Sequence, residues 1–445
     1  MKLTVTLSLI LAVVTPAAFA QITIIPPGFA YDKLLDQIDG STPRLDAISN
    51  PAYGYGVIAA SVGNGILTVK RISNSSVEVL GTLSGFAAPD VKTIRFDRVG
   101  IFNFDLLISV REGVNETHTL LYRVETNGVI SLVTSSFGGS SDYLSLVFDN
   151  TDGTNGYIPG MYLYDTYAVN GTSVWHLDPN LNRTRLKTNC VPPGRSDLDV
   201  RGLEFDSTGV FGYGLIMADS DPDSDNKTAV YNLFPDLTWS EITTPIPTQQ
   251  IFFGDMCISP GGAFGQIIYV TDKVGNKIMT VDEFGNYTDF AIGFDGIGSV
   301  SAGVNGDNLF VSDGKGVYRI RPSGNEPGPT MIMREPKVEP DDFHSGRSGI
   351  DSVRLYFSDP IVFTSADVSV TDNTGQPVSF NVVGSGTNFL LVNFGEVLHT
   401  NRYTITVHDT AVSATNGVPI DGDNDGINGG DLEFSMKHKM TLIKR

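Results

Sequence analysis

A block of about 50 residues recurs along most of this chain, and no other feature limits its possible folds so strongly. Each copy begins with an apolar strand, turns through aromatic and glycine residues, enters a second strand that often ends in Asp, and closes in a hairpin. The copy starting at Met256 is the clearest, with Phe264-Gly265, then Ile267 to Asp272, then Ile278 to Asp282. First strands fall at Leu45, Ile94, Leu146, Leu203, Met256 and Val300. A period of this size suits one four-stranded sheet per copy, the repeating unit of a β-propeller.

Three copies share a signature, at Ile94-Arg95-Phe96-Asp97, Leu146-Val147-Phe148-Asp149 and Leu203-Glu204-Phe205-Asp206. The turn that follows also recurs, as Tyr53-Gly54-Tyr55-Gly56, Phe102-Asn103-Phe104-Asp105 and Phe211-Gly212-Tyr213-Gly214. Glycine there permits a tight turn, and the aromatic ring packs over the sheet beneath. The last copy, Val300 to Pro322, has room for about three strands. The segment Ile22-Thr23-Ile24-Ile25 is the natural donor of a fourth, which would leave no free sheet edge where the ring closes.

After Arg321 the composition changes to a Pro/Gly connector, Pro322 to Pro329. Shorter alternating strands follow, at Val353 to Phe357, Val368 to Thr371, Val378 to Val383, Phe389 to Asn393 and Tyr403 to Val407, a pattern that suits an immunoglobulin-like sandwich. The chain is therefore expected to be all-β: a signal peptide at 1–20, a six-bladed β-propeller over 21–323, a linker at 324–330 and an Ig-like β-sandwich over 331–445. The leader reading rests on Lys2, the apolar run Leu3 to Val14, and Ala18-Phe19-Ala20 before Gln21. It implies an exported protein, secreted or held at a bacterial cell surface, and no later stretch is long and apolar enough to span a membrane.

The net charge of −20, or −21 without Lys2, argues against nucleic-acid and anionic-membrane partners. Only two cysteines occur, Cys190 and Cys257, so no disulfide framework holds the fold, and a whole blade between them makes their pairing doubtful. Six Asn-x-Ser/Thr sequons would matter only in a eukaryotic host.

Candidate chemistry is concentrated in acidic loops. Asp421, Asp423 and Asp425 stand at alternate positions, with glycines that allow a tight backbone path, so that their carboxylates, the Ile427 carbonyl and Asp431 form a calcium-type loop. Leu432 occupies the position where an EF-hand has its bidentate Glu, and the loop has no helical flanks, so the expected calcium is structural and orders the last hairpin. The run Asp219-Ser220-Asp221-Pro222-Asp223-Ser224-Asp225 is a second acidic cluster, in which Pro222 and the lack of glycine favour an exposed hairpin tip over a cation site. Asp165, Asp219, Asp272 and Asp313 end second strands, where they could ring one face of the propeller but more simply start turns. His118 and His176 are the only propeller histidines, and neither belongs to a Ser/His/Asp, zinc or phosphate-loop pattern. Trp175, Tyr162, Tyr164, Tyr213, Tyr269 and Tyr318 suit blade packing better than sugar stacking. No catalytic residue is assigned.

The repeated region resembles the NHL/SMP-30-like six-bladed propellers, most clearly at Ile267 to Phe290 and Leu309 to Ile320. Gluconolactonases of that group hold a central calcium with Glu, Asn and Asp residues from several blades. The last region resembles bacterial Ig-like modules of the Big and SbsA-like kind, on Arg402 to Val407, Gly417 to Asp431 and the closing strand Leu432 to Met436, and such modules are adhesive or spacing elements. Together these imply a non-enzymatic, exported binding or adhesion protein, expected to be a monomer, with an extracellular protein or glycan as ligand. The alternative is a calcium-dependent propeller enzyme, a lactonase-like hydrolase or a polysaccharide lyase, with an accessory Ig-like domain.

Overall fold

In the computed structural model, the described residues run from 22 to 437, apart from 37–39, 51–53, 73–76, 87–89, 99–101, 103–104, 113–117, 126, 135–143, 150–156, 166–172, 196, 223–224, 304–305, 324–327, 336–349, 399–401, 415–416 and 423–427. The expected leader and residues 438–445 lie outside them. The chain is all-β, and its only helical elements among the described residues are two short turns, Gly262–Phe264 and Ser365–Asp367. None of these is long and apolar enough to cross a membrane.

The repeats form successive antiparallel sheets, each built by a strand that pairs with the next in sequence. Sheet one starts at Arg44–Asn50 and sheet two at Asp90–Phe96; sheet three starts at Leu144–Phe148, sheet four at Val200–Phe205, sheet five at Phe253–Ile258 and sheet six at Val300–Ala302. These first strands pack against one another in sequence, and the strand of sheet six returns to that of sheet one. The arrangement is that of a propeller.

An apolar seam lies between each adjacent pair of sheets. Ile94 and Leu106 of sheet two meet Ile58 and Leu67 of sheet one, and Phe148 of sheet three meets Phe102, with ring centroids 5.4 Å apart. The closing seam sets Leu45, Ala47 and Val57 of sheet one against Phe310 and Val317 of sheet six. Because the inner strands of each sheet are covered on both faces, their apolar residues are near-continuous and not alternating. Each large side chain fully buried in a seam contributes about 1.5–3 kcal/mol.

The shared Phe-Asp signature has a structural role. Asp206 accepts the backbone N–H groups of Thr208, Gly209, Phe211 and Tyr213, so that one buried carboxylate folds the whole turn between first and second strands. Asp97 does the same for Phe102 N at 2.6 Å. A carboxylate that accepts several N–H groups replaces the water it gave up on burial.

The N-terminus closes the ring, but with a different segment from the one expected. Phe29–Leu35 supplies the fourth strand of sheet six by pairing with Gly316–Pro322, while Thr23–Ile24 adds a short fifth strand to sheet five beside Tyr287–Ile292. Asp32 locks the closing strand, since its carboxylate binds Arg319 Nη2 at 2.7 Å and Arg321 Nε at 2.6 Å. Ile22–Ile25 carries the stronger β-branched signal, yet Phe29 and Tyr31 alone can place rings against Phe264 and Tyr318 in the seam.

After the ring, Met331–Glu335, Ile350–Val362, Thr387–Leu398 and Asn381–Val383 form one sheet, joined at its edge by Val412–Ser413, and Val368–Asp372, Arg402–Val407 and Leu432–Lys437 form another. They enclose a separate core of Val353, Leu355, Phe357, Val370, Leu390, Val392, Phe394, Ile405 and Val407. Both cysteines are buried free thiols in different seams. Burial pushes the Cys190 thiol up to about 12, which leaves it unreactive.

Candidate active site at the centre of the ring

The first strands are apolar toward the seams, and those of sheets one, two, four and five bring charged residues to the axis. At their N-terminal ends, side chains from four sheets come together. Arg44 of sheet one reaches across the ring: its guanidinium donates to the carbonyls of Val91 in sheet two at 3.3 Å and Gly254 in sheet five at 2.8 Å, and to that of Gly298, just before sheet six, at 3.4 Å. It also lies 3.8 Å from the Asp255 carboxylate. Lys92 pairs with Asp90 at 2.6 Å, and Arg201 is paired with Asp199 and lies over the Phe252 ring, 5.0 Å from its centroid.

Lys273 completes this end. It begins the hairpin after the second strand of sheet five, where Asp272 accepts Phe252 N and Val274 N with Oδ1 and Gly275 N with Oδ2. Lys273 N donates to Phe252 O at 2.8 Å. Its stem crosses Gly254 so closely that a Cβ there would lie 2.7 Å from Lys273 Cε and 2.8 Å from Thr271 Oγ1. Gly254 is required by that approach. Thr271 Oγ1 is buried without a hydrogen-bond partner.

Solvent reaches Lys273, but the surrounding protein and then the Arg44 and Arg201 charges push its ammonium down to about 8. Among the described residues it is the one cation of this group without an ion-pair partner. An amine poised near neutrality can act as a base or hold an anion, depending on pH.

A second tier lies further along the same strands. Asp46 accepts Phe96 N at 2.6 Å and binds Arg98 at 2.8 Å, and Asp255 accepts Ser299 Oγ. Arg95 donates to Leu203 O at 3.1 Å and faces Glu204 at 3.8 Å. Burial pushes the Glu204 carboxyl up despite Arg95 and Arg98. Burial opposes the charge on Arg95, but Glu204, Asp46 and Asp255 outweigh it and raise its pKa. The axial carboxylates thus face guanidiniums and backbone N–H groups. That donor set does not fit the central calcium implied by the family resemblance.

Asp272 and Asp313 are turn-formers: Asp313 accepts Lys315 N at 2.8 Å and Gly316 N at 2.9 Å. Asp219 is fully buried and held by Arg195 at 2.6 Å, which also pairs with Asp225. Asp219 and Asp225 are therefore tied inward, while Pro222 between them is exposed and Asp223 lies outside the described residues. The side chain of Asp165 lies outside the described residues. His176 is buried, with Nε2 3.1 Å from Pro159 O. Tyr162, Tyr164, Tyr269 and Tyr318 are buried in seams, Trp175 is covered by Arg185, and Tyr213 is exposed.

Of the calcium-type loop, Asp423, Asp425 and Ile427 lie outside the described residues. Asp421 is buried. Asp431 is turned toward His408 Nδ1 at 2.9 Å and Asp409 N at 3.0 Å, and these hydrogen bonds lower its carboxyl below the usual range. Among the described residues, no three His, Cys, Asp or Glu side chains are grouped to hold a metal ion.

The axial residues were missed in the sequence. Their signal is the charge pair at i and i+2 that opens an otherwise apolar strand: Arg44 and Asp46, Asp90 and Lys92, Asp199 and Arg201. On a strand that spacing puts both charges on one face.

No protein-family model matches the chain, and no curated protein matches it by sequence. Among solved structures it is similar to a gluconolactonase from Xanthomonas campestris, with 13% identity, coverage of 66% of this chain and 89% of that one, and a TM-score of 0.45. It is similar also to a streptogramin B lyase, with 10% identity over 66% and 98% of the two chains and a TM-score of 0.41. A glucose dehydrogenase gives 10% identity over 66% and 100%, with a TM-score of 0.45. The likeness is one of propeller fold. These structures are of enzymes, against the expectation of a non-enzymatic chain.

Proposed function

We propose that the six sheets are the blades of one propeller enzyme of hydrolase or lyase type, with its active site at the axial end formed by Arg44, Asp90, Lys92, Asp199, Arg201 and Lys273. The observation that carries this reading is the convergence of charged side chains from four sheets on one solvent-reached point, in a ring whose seams are otherwise apolar. Structural stability alone does not call for such a site, because burying ion pairs costs about as much as it returns. Lys273, near neutrality, is the base candidate, able to take a proton from water or from carbon next to a carbonyl. Arg44 and Arg201 stabilise the negative charge that either reaction develops.

The test is turnover by the purified chain of a panel of lactones and of uronate oligosaccharides, the latter followed by the ultraviolet absorbance of the new double bond. Activity on one panel that falls at least tenfold in Lys273→Met supports the reading. No turnover on either panel overturns it.

The last two sheets are proposed as an Ig-like module that spaces or docks an exported enzyme, with calcium at Asp421, Asp423, Asp425, Ile427 and Asp431. Support comes from the tight path at Gly422, where a Cβ would meet Leu432 N at 2.3 Å, and from the positive φ of Gly429 and Gly430. Calcium titration of the full chain should release heat and raise the melting temperature; no change in either removes the site.

A further inference from the structure

We infer that the axial end of the ring binds a singly charged organic carboxylate, with Lys273 as the cation that receives it. This deepens the enzyme reading above and rests on the same site.

Charge balance supports the inference first. Four cations, Arg44, Lys92, Arg201 and Lys273, share this end with three carboxylates, Asp90, Asp199 and Asp255. Three of the cations are each satisfied by one carboxylate. Lys273 is left over, and the groups that face it are Arg44, Asp90, Lys92 and Arg201, three of them positive. In a chain of net charge −20, an unmatched positive charge is thus held at this point among two further guanidiniums and an ammonium. Such a concentration attracts an anion.

Geometry fixes the kind of anion. The guanidiniums of Arg44 and Arg201 are already committed, the first to carbonyls of three sheets and the second to Asp199 and the Phe252 ring. They supply field but not a free bidentate fork, so a phosphate or sulfate would bring more charge than the site can balance, beside Asp90 and Asp199. One carboxylate matches one ammonium. Thr271 Oγ1, buried and without a hydrogen-bond partner among the described residues, lies on the same side of Gly254 as the Lys273 stem and adds a donor beside it.

Binding of D-galacturonate and of D-galactose, which differ by the carboxylate alone, should be compared by calorimetry at pH 6.5 and pH 9.5, with sulfate as a divalent control. Galacturonate is expected to bind at least tenfold more tightly than galactose at the lower pH and to lose that advantage at the higher one, as Lys273 loses its proton. Lys273→Met should remove the advantage at both values. Lys273→Arg, whose guanidinium does not titrate here, should keep it at both. Lys187→Met, on the outer strand of sheet three, controls for net charge, and melting temperatures confirm that each variant is folded. Equal binding of the two sugars, tighter binding of sulfate, or an advantage that persists in folded Lys273→Met overturns the inference. Carboxylate-selective binding without turnover sustains it and counts against the enzyme reading, whereas turnover of neutral substrates without carboxylate selectivity does the reverse.

Discussion

The two units of this chain solve the problem of a centre in opposite ways. The C-terminal unit fills its middle with Val353, Phe357, Leu390, Phe394 and Ile405 and carries Asp431 with His408 at an exposed edge. The ring moves its apolar groups outward into seams and leaves Arg44, Asp46, Arg95, Glu204 and Asp255 around the axis. The difference teaches where each can carry function. A dry apolar centre gains stability from every atom it buries, while a polar axis spends stability on groups that only a ligand or a reaction can use.

The largest effects should come from opening either centre. Phe357→Ala removes a ring buried between the two C-terminal sheets and should cost about 3–5 kcal/mol in denaturant unfolding, without altering axial binding. In the ring, Asp46→Ala strands Arg98 and Phe96 N–H and should cost a similar ~3–5 kcal/mol, because one charge of a buried pair is left alone. If Asp46→Ala is nearly neutral, the axis is wetter than its hydrogen bonds imply and the contrast weakens.

A smaller effect is expected where the ring closes. Burial opposes ionisation of Asp32, but Arg321 and Arg319 outweigh it and hold its carboxyl below the usual value. A depressed carboxyl stabilises the fold above its unfolded pKa, near 3.9, and that contribution is lost as pH falls through the folded value. Asp32→Asn should therefore lower the melting temperature at pH 6, by the equivalent of about 1 kcal/mol, and change little below pH 3. An equal loss at both values would place the effect in packing and not in charge.

The smallest effect has the opposite sign. Lys273→Met removes a cation held against Arg44 and Arg201, so at pH 7 it should raise stability slightly, by less than about 1 kcal/mol, while it abolishes carboxylate binding. A drop in stability would show that Lys273 packs more than it repels.

Much of the ring was legible because its period is covalent: the recurring Phe-Asp and aromatic-glycine turns mark each start, and Asp206 and Asp97 cap those turns in the fold. The closing strand was misplaced because pairing partners lie nearly the whole ring apart in sequence, and β propensity favours Ile22–Ile25 over Phe29–Leu35. The site was less legible still. Runs of Asp stand out because their density is visible in one dimension, whereas Arg44, Lys92, Arg201 and Lys273 are scattered over four repeats and meet only when the sheets form a ring. Asp272 was read as a turn residue, and its turn is what presents Lys273.

The pairing of Phe29–Leu35 with Gly316–Pro322 also sets an order of events in the cell. A ribosome releases the earlier strand long before its partner exists, so during synthesis that strand must wait as an unpaired edge while the intervening sheets assemble. Contacts this distant in sequence are slow to form, and open edges of this kind invite association between chains. Production of this protein should therefore respond more to translation rate and chaperone supply than its finished stability would suggest.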